Sequence, residues 1–172
     1  VHFAATENNR KRIIRMGEEP WRVHNVGNIG LDKYRMAQDI PVAELKNILG
    51  FDITKRPLLV VIHNSLSTNS ENAGSETRVI MKAIDRLKFQ AIIIHPNSDA
   101  GCLDIIRVMD AYVSRKFIKI FKNLSKEIFV NLMRNCDCLI GNSSCGILEA
   151  PLLKIPVVNI GMRQEGREHA EN

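Results

Sequence analysis

The sequence has few aromatic residues and no long apolar run. Phe, Trp and Tyr make up 5% of its 172 residues, which argues against a stacking surface for single-stranded nucleic acid. The longest apolar runs, such as Leu58–Ile62, are far shorter than the roughly 20 residues that cross a bilayer. We therefore expect neither nucleic acid nor a membrane as a partner.

Cysteines are also few, and they do not have the spacing of a metal site. The sequence contains Cys102, Cys136, Cys138 and Cys145. Cys136 and Cys138 are separated by one residue, whereas zinc knuckles and thioredoxin motifs have a gap of two. We expect reduced, mostly buried thiols in a cytoplasmic protein, with no metal and no cofactor.

Several catalytic signatures are absent as well. The chain has no Walker loop, no dinucleotide-binding glycine fingerprint and no Ser-His-Asp order.

Apolar residues make up 45% of the chain and charged residues 25%, which is typical of one globular domain or half of a two-domain protein. The charge is 24 − 19 = +5, which suits an anionic ligand without identifying it. Because Val1 is not a start Met, we expect the chain to be cut from a longer one.

Short β-branched runs alternate with helical stretches along most of the chain. The runs predict five strands, at 58–62, 91–94, 117–121, 138–141 and 157–160, and a shorter one at 23–26. Apolar spacing predicts helices at 8–16, 39–49, 75–87, 103–113 and 147–153, with Pro41 as an early helical residue, and one that begins after the N-cap Ser125.

Strands separated by helices predict an α/β fold. We expect a Rossmann-like parallel sheet with helices on both faces. Residues 1–172 are predicted to form a single domain, in which 1–56 is an irregular lead-in.

Polar turns follow the predicted strands at the edge where an open parallel sheet binds ligands. They are His63-Asn64-Ser65, the segments 95–101 and 161–167, and the turn 141–146. The last of these, with Ser143 and Ser144, offers hydroxyls and backbone N–H groups at a helix start to an anion. A simple helix cap is the alternative interpretation.

Other residues near this edge also have two interpretations. His63 either donates to a phosphate or bonds to backbone as a loop histidine. Glu149, on the helix after the turn, either holds a ribose or is solvated. Arg163 and Arg167 either bind phosphate or are ordinary exposed arginines. Asp99 and Glu149 are the only acids that we expect near the edge. The residues alone predict an anion-binding edge for a nucleotide diphosphate.

Five segments spread over nearly the whole chain form a recognisable set: 2–7, 27–28, 96–101, 141–146 with Glu149, and 161–167. Together, and in this order, they resemble the UDP-N-acetylglucosamine 2-epimerases. The forms Pro-Asn-x-Asp-x-Gly and Arg-Gln-x-Gly-Arg resemble the hydrolysing branch. The resemblance implies half of a two-domain fold of the GT-B type, namely the C-terminal half that holds UDP, without the N-terminal catalytic domain.

The resemblance also implies roles for particular residues. It assigns UDP binding to seven of them: His63, Asn97, Ser143, Ser144, Glu149, Arg163 and Arg167. In the family, the histidine contacts the diphosphate, which makes His63 the one catalytic candidate. The paired serines Ser143 and Ser144 bind phosphate, Glu149 holds the ribose and Arg163 lies near the nucleotide.

The reaction implied by the resemblance is removal of UDP from UDP-N-acetylglucosamine by anti elimination, followed by addition of water. The products are N-acetylmannosamine and UDP, for sialic-acid or related nonulosonic-acid synthesis. We expect a UDP-sugar as the partner, a homo-oligomer for the full-length protein, and no activity in this fragment alone. The alternatives are a UDP-diacetamido-sugar 2-epimerase, half of a GT-B glycosyltransferase, and a non-catalytic binding module.

Overall fold

A computed structural model describes all residues from 1 to 172, and the chain divides into two compact units. The first unit is Val1–Ala37 and the second is Gln38–Asn172. No helix in either unit has the length and apolar character needed to span a membrane.

The first unit is built on two short parallel strands joined by a helix. Strand β1 (His2–Ala4) pairs with β2 (Val23–Asn25), and α1 (Glu7–Arg15) connects them. Thr6 caps α1, since its Oγ1 accepts a hydrogen bond of 3.1 Å from the backbone N–H of Asn9. Helix α1 and strand β2 confirm the predicted elements at 8–16 and 23–26, whereas β1 was not predicted. The unit also contains two 3₁₀ turns and the short helix α2: Pro20–Arg22, Ile29–Leu31 and Asp32–Arg35.

The second unit contains the predicted parallel sheet. Its strands are β3 (Leu58–Ile62), β4 (Gln90–Ile94), β5 (Ile118–Phe121), β6 (Cys138–Gly141) and β7 (Val157–Asn159). They lie in the order β5-β4-β3-β6-β7, and every neighbouring pair is parallel. All five strand predictions are confirmed. Strands β4 and β5 are added on one side of the central β3, whereas β6 and β7 lie on its other side, so the strand order reverses between β5 and β6.

Helices cover both faces of this sheet, as predicted. They are α3 (Val42–Leu49), α4 (Ala73–Leu87), α5 (Cys102–Asp110), α6 (Lys126–Asn135) and α7 (Cys145–Leu148), together with a 3₁₀ segment at Ser67–Asn72. Alternate residues of β3 belong to two separate buried clusters: Val60 packs with α3 and α6, whereas Val61 packs with α4 and α5. Burial on both faces explains why the strand is continuously apolar.

Three of the predicted helices are shorter than expected. Helix α5 ends at Asp110 instead of residue 113, and proline shortens the other two. Helix α7 ends at Leu148 instead of reaching residue 153, because Pro151 has no N–H to continue the ladder and restricts the residue before it. Helix α3 begins at Val42 rather than near residue 39, since Pro41 has an extended backbone (ψ 140°) and stands at the N-cap position. The prediction that Pro41 is an early helical residue is therefore wrong.

The predicted N-cap of α6 is confirmed, and we expect it to contribute to the free energy of unfolding. Ser125 Oγ accepts a hydrogen bond of 3.4 Å from the backbone N–H of Ile128. Ser125→Ala leaves that N–H to solvent, so we expect a loss of about 1 kcal/mol in the free energy of unfolding, measured by urea denaturation. Ser114, an exposed residue outside any helix, is the control. Equal stability of the S125A and S114A variants would contradict this role.

Candidate functional site

Residues from three strand ends meet at the carboxyl edge of the sheet. The register pairs Ile62 at the end of β3 with Gly141 at the end of β6, and Gly141 with Asn159 at the end of β7. The segments that follow these strands are therefore neighbours. This is the edge, beside the reversal between β5 and β6, at which open α/β sheets bind ligands.

Gly141 permits the close approach of β3 and β6 at this edge. Its φ of +135° lies in the region that favours glycine, and a Cβ there would stand 2.0 Å from the carbonyl oxygen of Ile62. The next residue donates its backbone N–H to that same oxygen at 3.2 Å. Only glycine therefore lets the turn 141–146 leave the sheet at this point.

Asn142 ties the strand ends together and is 2% exposed. Its side-chain amide makes two hydrogen bonds of 2.7 Å with the backbone of Asn64, accepting from the N–H and donating to the carbonyl. Its own carbonyl accepts from Arg163 Nη1 at 3.2 Å and from Gln164 Nε2 at 2.7 Å. The loop after β7 is thereby held against the loop after β3.

The paired serines begin the one-turn helix α7. Ser143 Oγ accepts from the backbone N–H of Cys145 at 3.4 Å, and Ser144 is the N-cap residue without a side-chain cap bond. Both serines are half-buried. Because α7 has only four residues, its dipole is much weaker than that of the longer helix expected here. The two hydroxyls, rather than a helix dipole, are what this turn offers to an anion.

Glu149 stands directly after α7 rather than within a longer helix. It is the C-cap residue and is half-buried, and its backbone N–H donates to Cys145 O at 3.1 Å. The expectation that Glu149 lies on a helix running to residue 153 is therefore wrong, because the helix has already ended.

His63 lies directly after β3, and its side chain is fully buried. Nε2 is 3.3 Å from Glu76 Oε2 on the first turn of α4, a close contact without the alignment of a hydrogen bond, which becomes an ion pair only when the ring is protonated. Burial lowers the pKa of His63, the Arg163 guanidinium lowers it further, and the Glu76 carboxylate opposes both. His63 is consequently neutral at pH 7. Glu76 was not among the predicted residues of this edge, where Asp99 and Glu149 were the only acids expected.

Asn97, after β4, joins the same network through its backbone. Its N–H donates to Asn64 Oδ1 at 2.9 Å, and its exposed side chain donates to Asp99 Oδ2 at 2.6 Å. Asn64 thus links three loops, a role that its position in the polar turn after β3 did not predict. An asparagine after a strand is common in ordinary turns.

The two predicted arginines separate. Arg163 is half-buried and turns toward Asn142, whereas Arg167 is exposed and lines an open cleft of about 760 Å³. That cleft lies between the start of α7, strand β7 and the segment 161–172. The structure therefore brings His63, Arg163 and Asn97 around one network and leaves Arg167 in the adjacent cleft.

The four cysteines are free thiols, of which only Cys145 is buried and the others are half-buried. The expectation that most of them are buried is therefore wrong. Burial raises the pKa of Cys136 to about 12 and that of Cys145 to about 11. Both are thus protonated and poor nucleophiles at neutral pH.

Comparison with known proteins gives consistent matches. A family model described as UDP-N-acetylglucosamine 2-epimerase matches residues 1–172. The chain is 33% identical, over 99% of its length, to the UDP-N,N'-diacetylbacillosamine 2-epimerase (hydrolyzing) of Legionella pneumophila, and 32% identical, over its whole length, to a GDP/UDP-N,N'-diacetylbacillosamine 2-epimerase (hydrolyzing) of Campylobacter jejuni. It spans 45% of the length of each.

Among solved structures, the UDP complex of Staphylococcus aureus MnaA superposes with a TM-score of 0.74 at 15% identity. The match covers 96% of this chain and 45% of that one. At this identity the likeness shows the fold, which is a parallel sheet with helices on both faces, as in half of a GT-B protein.

Proposed function

The chain belongs to the UDP-N-acetylglucosamine 2-epimerase family, and we propose that it is the UDP-holding part of a hydrolysing epimerase acting on a UDP-linked 2-acetamido sugar. The observation that carries this proposal is the cluster of phosphate-binding groups at the carboxyl edge of the sheet. Because the chain spans about 45% of the curated relatives' length, the activity proposed here is that of a longer protein.

The diphosphate is proposed to bind where the two serines and Arg163 meet the sheet edge. Ser143 and Ser144 supply hydroxyl donors, and Arg163 supplies a fixed positive charge, since its guanidinium is anchored on the Asn142 carbonyl. The imidazole of His63 has no exposed surface. It can touch a phosphate only after a local movement of the side chains that cover it.

The remaining predicted residues are proposed to hold the nucleoside. Glu149, just after α7, is placed to accept the ribose hydroxyls, as the family resemblance implies. Asn97 and Arg167 border the same edge from opposite sides, on the loop after β4 and in the cleft beside β7. These assignments are proposals that rest on position and on the resemblance.

In the proposed reaction, UDP leaves the sugar by elimination. The C1–O bond breaks with its electron pair going to the diphosphate, a base takes the proton from C2, and a C1–C2 double bond forms. Water then adds to give the free 2-epimeric sugar and UDP. The residues of this chain stabilise the negative charge on the departing diphosphate; proton removal at C2 requires a placed base.

Two substrates fit the family, and they differ at C4 of the sugar. The hydrolysing relatives named above favour a UDP-diacetamido sugar, whereas the family description favours UDP-N-acetylglucosamine. Comparison of kcat/KM for the two substrates with the full-length protein decides between them. UDP release without an acceptor would also exclude the glycosyltransferase alternative, and failure to bind any uridine nucleotide would favour a non-catalytic module.

The product is proposed to feed sialic-acid or related nonulosonic-acid synthesis in the cytoplasm. We further propose that the full-length protein is a homo-oligomer. Light scattering coupled to size exclusion measures that state directly, and a monomeric mass would contradict it.

The double substitution Ser143→Ala with Ser144→Ala tests the phosphate contact. Two hydrogen bonds to a charged group are lost, so we expect UDP binding to weaken by roughly one to three kcal/mol, measured by calorimetry. Ser114→Ala, an exposed change elsewhere on the chain, should leave the affinity unchanged. If the double variant binds UDP as tightly as the unchanged chain does, the serines are not in the site.

A further inference from the structure

A buried histidine and a partly exposed carboxylate face each other under the proposed nucleotide site. The His63 side chain is 0% exposed and that of Glu76 is 35% exposed, with 3.3 Å between Nε2 and Oε2. They come from different parts of the chain, since His63 directly follows β3 and Glu76 lies in the first turn of α4. The contact therefore joins the end of the central strand to the start of α4.

The loop after β7 passes beside this pair. A Cβ on Gly161 would stand 3.9 and 4.0 Å from the two Glu76 carboxylate oxygens, so that backbone passes close to the carboxylate. Arg163, two residues later, is the other charged group that acts on the ring. Around His63 there is thus one negative group, Glu76 from α4, and one positive group, Arg163 from the loop.

This arrangement determines which ring nitrogen of His63 keeps its hydrogen. An ionised carboxylate only accepts, so the nitrogen that faces it is stabilised as N–H. Both ring nitrogens are buried and neither makes an aligned hydrogen bond, but Nε2 is the one that lies 3.3 Å from the carboxylate oxygen of Glu76. The neutral ring therefore has its hydrogen on Nε2 and a bare lone pair on Nδ1.

We propose that Glu76 is a positioning residue for His63: its carboxylate holds the ring as the Nε2–H tautomer, and the ring must take up a second proton on Nδ1 to donate to an anionic ligand there. The ligand in this proposal is the diphosphate of the proposed function, and the proposal depends on that function for the ligand alone. The hold of Glu76 on the ring is a property of the free chain.

The proposal makes diphosphate binding depend on pH with a definite sign. In the free chain His63 is neutral at pH 7, because burial and Arg163 lower its pKa against the effect of Glu76. A bound diphosphate adds negative charge beside the ring and raises that pKa. The complex then holds one proton more than the free chain, so affinity rises as pH falls through the range in which only the complex is protonated.

Nuclear magnetic resonance of the His63 ring tests the hold of Glu76 without any ligand. The ¹⁵N shifts of the 172-residue chain should show the Nε2–H tautomer. In E76Q, which keeps the size of the side chain but loses its charge, the titration midpoint of His63 should move to lower pH. E71Q, an exposed change just before α4, is the matched control and should move nothing.

Two results would overturn the proposal. One is an Nδ1–H tautomer in the unchanged chain, which needs no variant and is therefore independent of whether E76Q folds. The other is an E76Q variant that keeps the wild-type amide spectrum elsewhere and leaves the His63 tautomer and midpoint unchanged.

Calorimetry with UDP-N-acetylglucosamine tests the linked proton, because its esterified diphosphate has no ionisation of its own between pH 6 and 8. Affinity should rise by up to about tenfold per pH unit as pH falls, and heats in buffers of different ionisation enthalpy should show proton uptake. Both effects should diminish in E76Q and persist in E71Q. Binding without proton uptake would refute the link, whereas no binding at any pH would refute the proposed function and leave the tautomer result to stand.

Discussion

The 172-residue chain alone is expected to release no measurable UDP from UDP-N-acetylglucosamine, whereas the full-length protein is expected to convert it to N-acetylmannosamine and UDP. Proton removal by a placed base contributes about 10²–10⁴-fold. Enclosure and orientation of the sugar contribute about 7–11 kcal/mol more. The chain supplies groups for the diphosphate, but a single sheet edge does not enclose a sugar.

The acids at this edge are engaged elsewhere and are not available as the base for the C2 proton. Glu149 is assigned to the ribose, Asp99 accepts from the Asn97 side chain, and Glu76 lies against His63. None of them is left for the C2 proton.

The measurement is UDP release with identification of the sugar by nuclear magnetic resonance, on both proteins. The full-length protein carrying Ser143→Ala and Ser144→Ala serves as a control, and it should keep the sugar product while losing rate. Turnover by the 172-residue chain at a rate near that of the full-length protein would contradict this account. Glu76 would then be the first candidate for the base.

Gly141→Ala is expected to have the largest effect on stability of any single methyl group added at the site. The new Cβ would stand 2.0 Å from the backbone oxygen of Ile62, which cannot move without separating β3 from β6. A φ of +135° adds strain for any residue with a Cβ. We expect a loss of at least about 3 kcal/mol in the free energy of unfolding, together with loss of UDP binding.

Gly166→Ala is the matched control for that experiment. Gly166 also has a positive φ, +74°, but a Cβ there meets no atom within 4 Å. Both variants therefore place a Cβ at a positive φ, and only G141A adds a clash with backbone. Urea denaturation followed by circular dichroism gives the free energy of unfolding of both variants. Equal losses for G141A and G166A would show that the clash with Ile62 does not determine the loss of stability.

The sheet could be predicted from sequence because its strands are buried on both faces. Short continuous apolar runs such as Leu58–Ile62 are typical of buried strands, and the helical stripes between them imply crossovers. The start of α3 and the end of α7 were predicted less accurately than the strands, because Pro41 and Pro151 act through local backbone geometry. Strand β1 was not predicted because His2–Ala4 contains no β-branched residue, whereas the equally short β2 begins at Val23 and is followed by Val26.

The candidate site was only partly predictable. The positions of His63 and Ser143 at the carboxyl edge could be predicted because both follow strands of the parallel sheet. Glu76 and Asn142 could not, since their roles depend on how α4 packs and on the register between β3 and β6. An acid in the first turn of a helix is also favoured there for reasons unrelated to function.

The most direct test of the central claim is a titration of the ¹⁵N-labelled 172-residue chain with UDP, followed by amide chemical shifts. The account predicts saturable one-to-one binding, with the largest shifts at Ser143, Ser144 and Arg163. The absence of saturable shifts would contradict it. So would shifts confined to a different surface, such as the groove between α4 and α5 that Arg78 and Arg107 line.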